Sequence, residues 1–190
     1  MSAPVAPQLP GLLRWMRQAT EDAPTSAIYA ILDGARAPHI HRLVLSCGLT
    51  QSCLYAGKLP PELVEVAPYL VQLRPGAPAT EQLLAAGWGK SWGIFVQSPA
   101  HPDALRRHLR RFLKVKDAHG KSLVFRYYDP RVLRVYLPTC TDDELDFLFG
   151  PIEQFFAESE DGGSMLAYAR RPEDAPLDAP PLSILPTPLV

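Results

Sequence analysis

Two catalytic signatures overlap in the stretch GWGKSWGIFV, residues 87–96. Gly89-Lys90-Ser91 ends like a phosphate-binding loop, in which backbone N–H groups and a lysine hold a phosphate. Gly89-Lys90-Ser91-Trp92-Gly93 also fits G-x-S-x-G, the turn that lifts a nucleophilic serine in hydrolases. Each signature depends on the elements around it. Both need a strand before the turn and a helix after it, so that helix-end amides or a strained elbow present the reacting group.

The flanking residues predict the reverse order. TEQLLAAG, 80–87, has a helical pattern with Thr80 as its expected cap and Gly87 as its stop. SWGIFVQS, 91–98, reads as a strand with Trp92, Ile94 and Val96 on one face and Phe95 on the other. The phosphate loop also lacks its first glycine, because position 84 is Leu. A triad would need an acid and then a histidine downstream. Of His101, His108 and His119, the second falls within a helical segment, and the third follows Asp117 by two residues in the turn-like DAHGKS. The glycines therefore read as room for a sharp turn, and Trp88 and Trp92 as core. A serine hydrolase acting through Gly89–Gly93 stays as an alternative.

A second polar group comprises Asp33, Arg126, Asp129 and Arg131. Asp33 ends a strand and is expected to meet Arg126 as a structural clamp, since no nucleophile or base accompanies the set. A third feature is PDALRRHLRRFLKV, 102–115. Leu105, Leu109, Phe112 and Leu113 cover one helical arc, and Arg106, Arg107, Arg110, Arg111 and Lys114 cover the other. With no aromatic platform among these cations, a solvated or partner-facing surface is expected, and nucleic-acid binding through helix 102–115 is the weaker alternative.

Elements along the chain position these groups. GLLRWMRQA, 11–19, predicts a short helix after a loose, Pro/Ala-rich start at 1–10; AIYAIL, 27–32, predicts a buried strand ended by Asp33-Gly34. PHIHRLVLSC, 38–47, predicts a helix; residues 51–57, 68–73 and 122–129 read as strands. Asp129-Pro130 opens a helix over 130–137, and Thr141-x-x-Glu144 is a capping box before a further one. Two strands are expected near 152–157 and 164–169, followed by an extended tail with six prolines in its twenty residues. This pattern predicts an α/β fold: a layered mixed β-sheet flanked by helices, with a short antiparallel C-terminal pair of strands. The divisions are 1–26, an N-terminal segment with a short helix; 27–170, the main domain, with 141–170 as a candidate small C-terminal lobe; and 171–190, the proline-rich tail.

Composition narrows the function classes. The 190 residues are 47% hydrophobic and 21% charged, with a formal net charge of −1, which argues against bulk nucleic-acid binding. Ten acidic and two basic residues lie between Asp142 and Asp174, so the near-neutral total hides a dipolar chain suited to oriented protein contact. Cys47, Cys53 and Cys140 have no metal-ligand spacing, and their odd number suggests a reducing compartment. No secretory leader and no membrane-spanning run is read from the chain.

Several ordered blocks together resemble one bacterial family. They are YAILDGAR at 29–36, LYAGKLPPELVEVAPYLVQL at 54–73, GWGKSWGIFVQS at 87–98, LRRHLRRFLKV at 105–115, FRYYDPRVLRVYLPT at 125–139 and FLFGPI at 147–152. The chain is similar over residues 27–157 to the type VI secretion effector chaperones, or adaptors. The resemblance implies a non-enzymatic cytoplasmic protein without cofactor or metal, which binds a toxic effector and helps load it on the VgrG spike. Asp33, Gly34, Trp92, Gly93, Asp129 and Pro130 are expected to be architectural. Arg107, Arg111, Arg126 and Arg131 are the expected partner-facing residues.

Overall fold

The computed structural model describes residues 7–116, 119–172, 174–176 and 178–189. Helix α1 (Leu9–Asp22) is followed by β1 (Ala27–Asp33), α2 (Ile40–Ser46), β2 (Gln51–Cys53), α3 (Pro61–Glu65) and β3 (Pro68–Gln72). Next come α4 (Pro78–Gly87), β4 (Gly93–Ser98), α5 (Pro102–Arg110), β5 (Lys114–Lys116) and β6 (Ser122–Val124). The chain ends with α6 (Pro130–Tyr136), α7 (Asp142–Phe149), β7 (Gln154–Glu158), β8 (Ser164–Arg170) and β9 (Leu182–Pro188). Seven strands form one sheet in the order β2-β3-β1-β4-β7-β8-β9, and β5 and β6 form a separate hairpin.

Side chains alternate across this sheet with the period of two that strands impose, and each face is covered by helices. Tyr29, Ile31, Ile94, Val96 and Phe155 point to one core with Leu105 and Leu109 of α5, Leu133 of α6 and Leu145 of α7. Ile28, Ala30, Leu32, Phe95 and Phe156 point to the other, with Leu12 and Met16 of α1, Ile40 of α2 and Leu83 of α4. The layered α/β architecture is the one expected. Every pairing of the described strands is antiparallel, so the sheet expected to be mixed has no parallel neighbours there. The reason is topological: β1 is flanked by β3 and β4, both of which run back against it.

The late strands β7 and β8 pair antiparallel as expected, and β7 also pairs with β4, so it lies within the main sheet. The proline-rich tail is extended, as read, but it is also ordered: β9 pairs with β8 from Leu182 to Pro188. Proline suits this place because an outer strand can forgo N–H groups on its free side, and it blunts further pairing there. The N-terminal looseness expected through residue 10 already ends at Leu9, where α1 starts; residues 1–6 lie outside the described residues.

Four other local expectations change. The helix expected over 102–115 ends at Arg110. Phe112 and Leu113 still bury their side chains, but Lys114–Lys116 leaves the helix to pair with Ser122–Val124. That pairing also shortens the strand expected over 122–129, since Phe125–Tyr128 turns its rings under α6 and α7 instead. Thr80 is not the α4 cap: Ala77 holds that position, and the buried Thr80 Oγ1 accepts the Arg74 N–H at 3.0 Å. Trp92 packs on the same side as Phe95, because it precedes the strand and follows Ser91, whose φ is +53°.

Candidate functional site

The turn that carries both catalytic signatures lies between α4 and β4, the order expected from the sequence. It does hold an anion, but the anion is the chain's own. Glu158, at the end of β7 and 6% exposed, accepts the Gly89 N–H at 2.6 Å and the Ser91 N–H at 2.8 Å. The Ser91 hydroxyl donates to the same carboxylate at 3.2 Å. The left-handed conformations of Gly89 (φ +74°) and Ser91 aim these donors at one point, as a backbone nest does for an anion. Trp88 closes the other side by donating its indole N–H to the Gly162 carbonyl at 2.8 Å. Asp117, considered with His119 as triad material, lies outside the described residues.

The motif residues of the chain converge on the end of β1. Asp33 caps a short 3-10 turn at Gly34–Arg36, and its Oδ1 accepts the Ala35 N–H at 3.0 Å. The Asp33 N–H donates to the Trp92 carbonyl at 2.7 Å, next to Gly93, which pairs with Leu32. Asp33 Oδ2 faces Arg126 Nη1 at 3.8 Å; the carboxylate is fully buried, while the Arg126 side chain is 45% exposed. Burial pushes the Asp33 carboxyl up, and the Ala35 N–H and the Arg126 guanidinium pull it part of the way back. Asp129 caps α6 through the Arg131 N–H at 3.0 Å, with Pro130 at the first helical position. Its carboxylate also takes a two-pronged contact from Arg131, at 2.9 Å from Nε and 2.6 Å from Nη2. Burial alone would raise the Asp129 carboxyl, and the bonds from Arg131 more than offset it. Arg36 ties this corner to the glycine turn by donating to the carbonyls of Ser91 and Lys90. The corner thus joins Asp33, Gly34, Trp92, Gly93, Arg126, Asp129, Pro130 and Arg131 in one inward-facing network. It keeps the exposed sides of Arg126 and Arg131 for solvent or a partner.

The basic helix has a different character. On α5, Arg107 is exposed, Arg106 donates to the Cys53 carbonyl at 2.9 Å, and Arg111, just past the helix, lies over the Phe147 ring at 4.3 Å. Two carboxylates of the acidic helix α7 are engaged elsewhere. Its Asp142 and Asp146 are taken by Arg170, at 2.9 and 2.6 Å. Among the described residues, no carboxylate forms an ion pair with Arg107, Arg110, Arg111 or Lys114. The hairpin β5–β6 stands beside these cations with Val115, Leu123 and Val124 exposed at 40%, 42% and 59%. A two-stranded hairpin with apolar side chains open to water is marginal by itself, and covering it gains apolar burial. Arg107 and Arg111 therefore belong to a basic, partly apolar surface, whereas Arg126 and Arg131 pair with Asp33 and Asp129. The hairpin was missed in the sequence, where Lys114-Val115-Lys116 alternation before the turn-like DAHG was its signal. Nothing local marked Glu158.

His108 anchors the inner side of α5. It is buried, its Nε2–H donates to the Leu148 carbonyl at 2.8 Å, and its ring packs edge-on to Phe112. Burial lowers its pKa; the Leu148 carbonyl opposes that, and Arg111 adds to it. The unfolded chain takes up this proton at the ordinary value of about 6.5, whereas the folded chain resists it to lower pH. Stability is thus expected to fall as pH drops from about 6.5 toward the folded value. Thermal melts from pH 7.5 to 5 should show this decline, and His108→Gln, which keeps a donor for Leu148, should flatten it.

A family profile described as "Domain of unknown function (DUF4123)" matches residues 28–146, a span that takes in the glycine turn, the polar corner and the basic surface. Neither curated proteins nor solved structures returned a match.

Proposed function

Starting from the fact that the chain belongs to the family described as domain of unknown function DUF4123, we propose that it is a non-enzymatic adaptor in bacterial type VI secretion. In this reading it binds an effector in the cytoplasm and assists its loading on the VgrG spike. The observation that carries the reading is the uncovered basic and apolar surface formed by α5 and the β5–β6 hairpin, within the matched residues. Exposed apolar groups rimmed by unpaired cations have the make-up of a protein-binding surface. The chemistry at Ser91 points the same way, because its hydroxyl is engaged by Glu158.

Co-expression with the proteins encoded beside it, followed by pull-down, tests the reading directly. A partner captured from that set is expected; capture of none of them counts against the adaptor role. Arg107 and Arg111 act here as a rim that steers encounter. Arg107→Glu with Arg111→Glu is expected to slow association about tenfold at low salt, with a weaker salt dependence. Stopped-flow association rates across salt concentrations check this, and rates unchanged at every salt would remove the steering role.

A further inference from the structure

One groove on this surface is more specific than its surroundings. Leu54 and Leu113, both buried, form its floor, and Leu59, Leu63 and Val124 complete its apolar lining. Leu63 is 45% exposed and Val124 59%, so the lining stands open. Lys114 and Val124 are cross-strand partners in the hairpin and thus share one face of it, the face that lines the groove. Two cations, Arg110 and Lys114, line the groove, and among the described residues no carboxylate does. Glu62 and Glu65 are on α3 beside Leu63 but outside the lining.

Charge decides what fits. On the chain's own acidic helix, Asp142 and Asp146 are engaged with Arg170 and Arg171 and Glu144 with Thr141; among the described residues no carboxylate forms an ion pair with Arg110 or Lys114. Their charge is complementary to an acidic segment of another molecule. An apolar floor calls for apolar side chains on the same segment.

We infer that this groove is the docking site for a partner's short acidic amphipathic segment. The segment's apolar side chains rest on Leu54 and Leu113 alongside Leu63 and Val124, and its carboxylates meet Arg110 and Lys114. This deepens the adaptor reading by naming the chemistry of the segment recognised, and rests on that reading only for which protein carries it.

Its test uses the full chain and synthetic peptides, so it does not require the effector. Two labelled peptides contain leucines spaced with glutamates, one in the alternating pattern of a strand and one in the spacing of a helix. Two counterparts replace every glutamate with lysine. Binding is followed by fluorescence anisotropy and by amide chemical shifts of the isotope-labelled protein. At least one acidic peptide is expected to bind at least about tenfold more tightly than its lysine counterpart, with shifts at Tyr55, Leu63 and Val124. Arg110→Glu with Lys114→Glu should invert that preference, and the exposed change Leu63→Asp should weaken the acidic peptide. Equal binding of acidic and basic peptides, binding of neither, or shifts confined to other surfaces would overturn the inference. So would sedimentation showing that a second copy of this chain already covers the groove. A positive pull-down with these peptide results negative leaves the adaptor role standing and removes the groove; the converse removes the role and keeps the groove's chemistry.

Discussion

Gly93→Ala is expected to destabilise the protein severely. Gly93 opens β4 opposite Leu32, in the pairing that joins the two central strands. A Cβ placed there overlaps the Ile31 carbonyl oxygen and stands 2.8 Å from its carbon and 3.0 Å from the Leu32 Cα. All three atoms are backbone, so no side-chain rotation relieves the contact; β4 would have to move off β1. That motion strains the adjoining bond from the Asp33 N–H to the Trp92 carbonyl and opens both cores. A cost above about 4 kcal/mol is expected, against the ~5–15 kcal/mol that stabilises a typical domain. Gly57→Ala is the contrast. Gly57 has φ +82°, and a Cβ at that position would meet nothing within 4 Å, so only backbone strain of about 1 kcal/mol applies. Denaturant titrations of both variants measure the difference. A Gly93→Ala midpoint within error of Gly57→Ala would show that the sheet accommodates the methyl group.

Glu158→Ala is expected to cost about 3 kcal/mol or more. The carboxylate gathers the N–H groups of Gly89 and Ser91 and the Ser91 hydroxyl, and it is nearly inaccessible to water. Truncation leaves these donors without an acceptor in a place water does not readily reach. It also removes the contacts that hold Ser91 at positive φ, a conformation a non-glycine residue adopts only when its surroundings favour it. Glu158→Gln should fall between Ala and the native residue, because its amide keeps one acceptor but sets an NH2 against an N–H donor. The readouts are the unfolding free energy, which should drop in both variants, and amide exchange at Gly89 and Ser91, which should speed up locally in the Gln variant. Native exchange rates at those two amides in the Ala variant would contradict the role of Glu158.

Much of the framework was legible in the sequence. The 3.6-residue spacing of apolar groups located α1, α2, α4 and α5, and Asp129-Pro130 marked the start of α6 through capping chemistry. The capping box at Thr141 and Glu144 forms as expected. The order of elements around Gly89-Lys90-Ser91, helix before and strand after, was legible and is the reverse of what either catalytic signature needs. Asp33 and Arg126 face one another as the residue types suggested. What escaped was set by distant partners. The end of α5 and the β5–β6 hairpin compete for the same residues, and Lys114–Lys116 has neither strong helical spacing nor a long strand pattern. Trp92 changed faces because its backbone is not part of the strand whose alternation was used to place it.

By itself, then, the order of amino acids determined roughly where most of the helices lie, which side chains are apolar enough to form two cores, and that the chain's charge is divided between a basic helix and an acidic end. Those properties depend on contacts within a turn or a strand, which a local pattern records. Only the tertiary structure decided that Glu158 fills the turn resembling an anion site, that the proline-rich end becomes an outer strand, and that Arg170 takes up Asp142 and Asp146 of the acidic helix. Each of these joins residues far apart in the chain, and pairing of that kind is settled by which groups folding brings within hydrogen-bond reach and away from water.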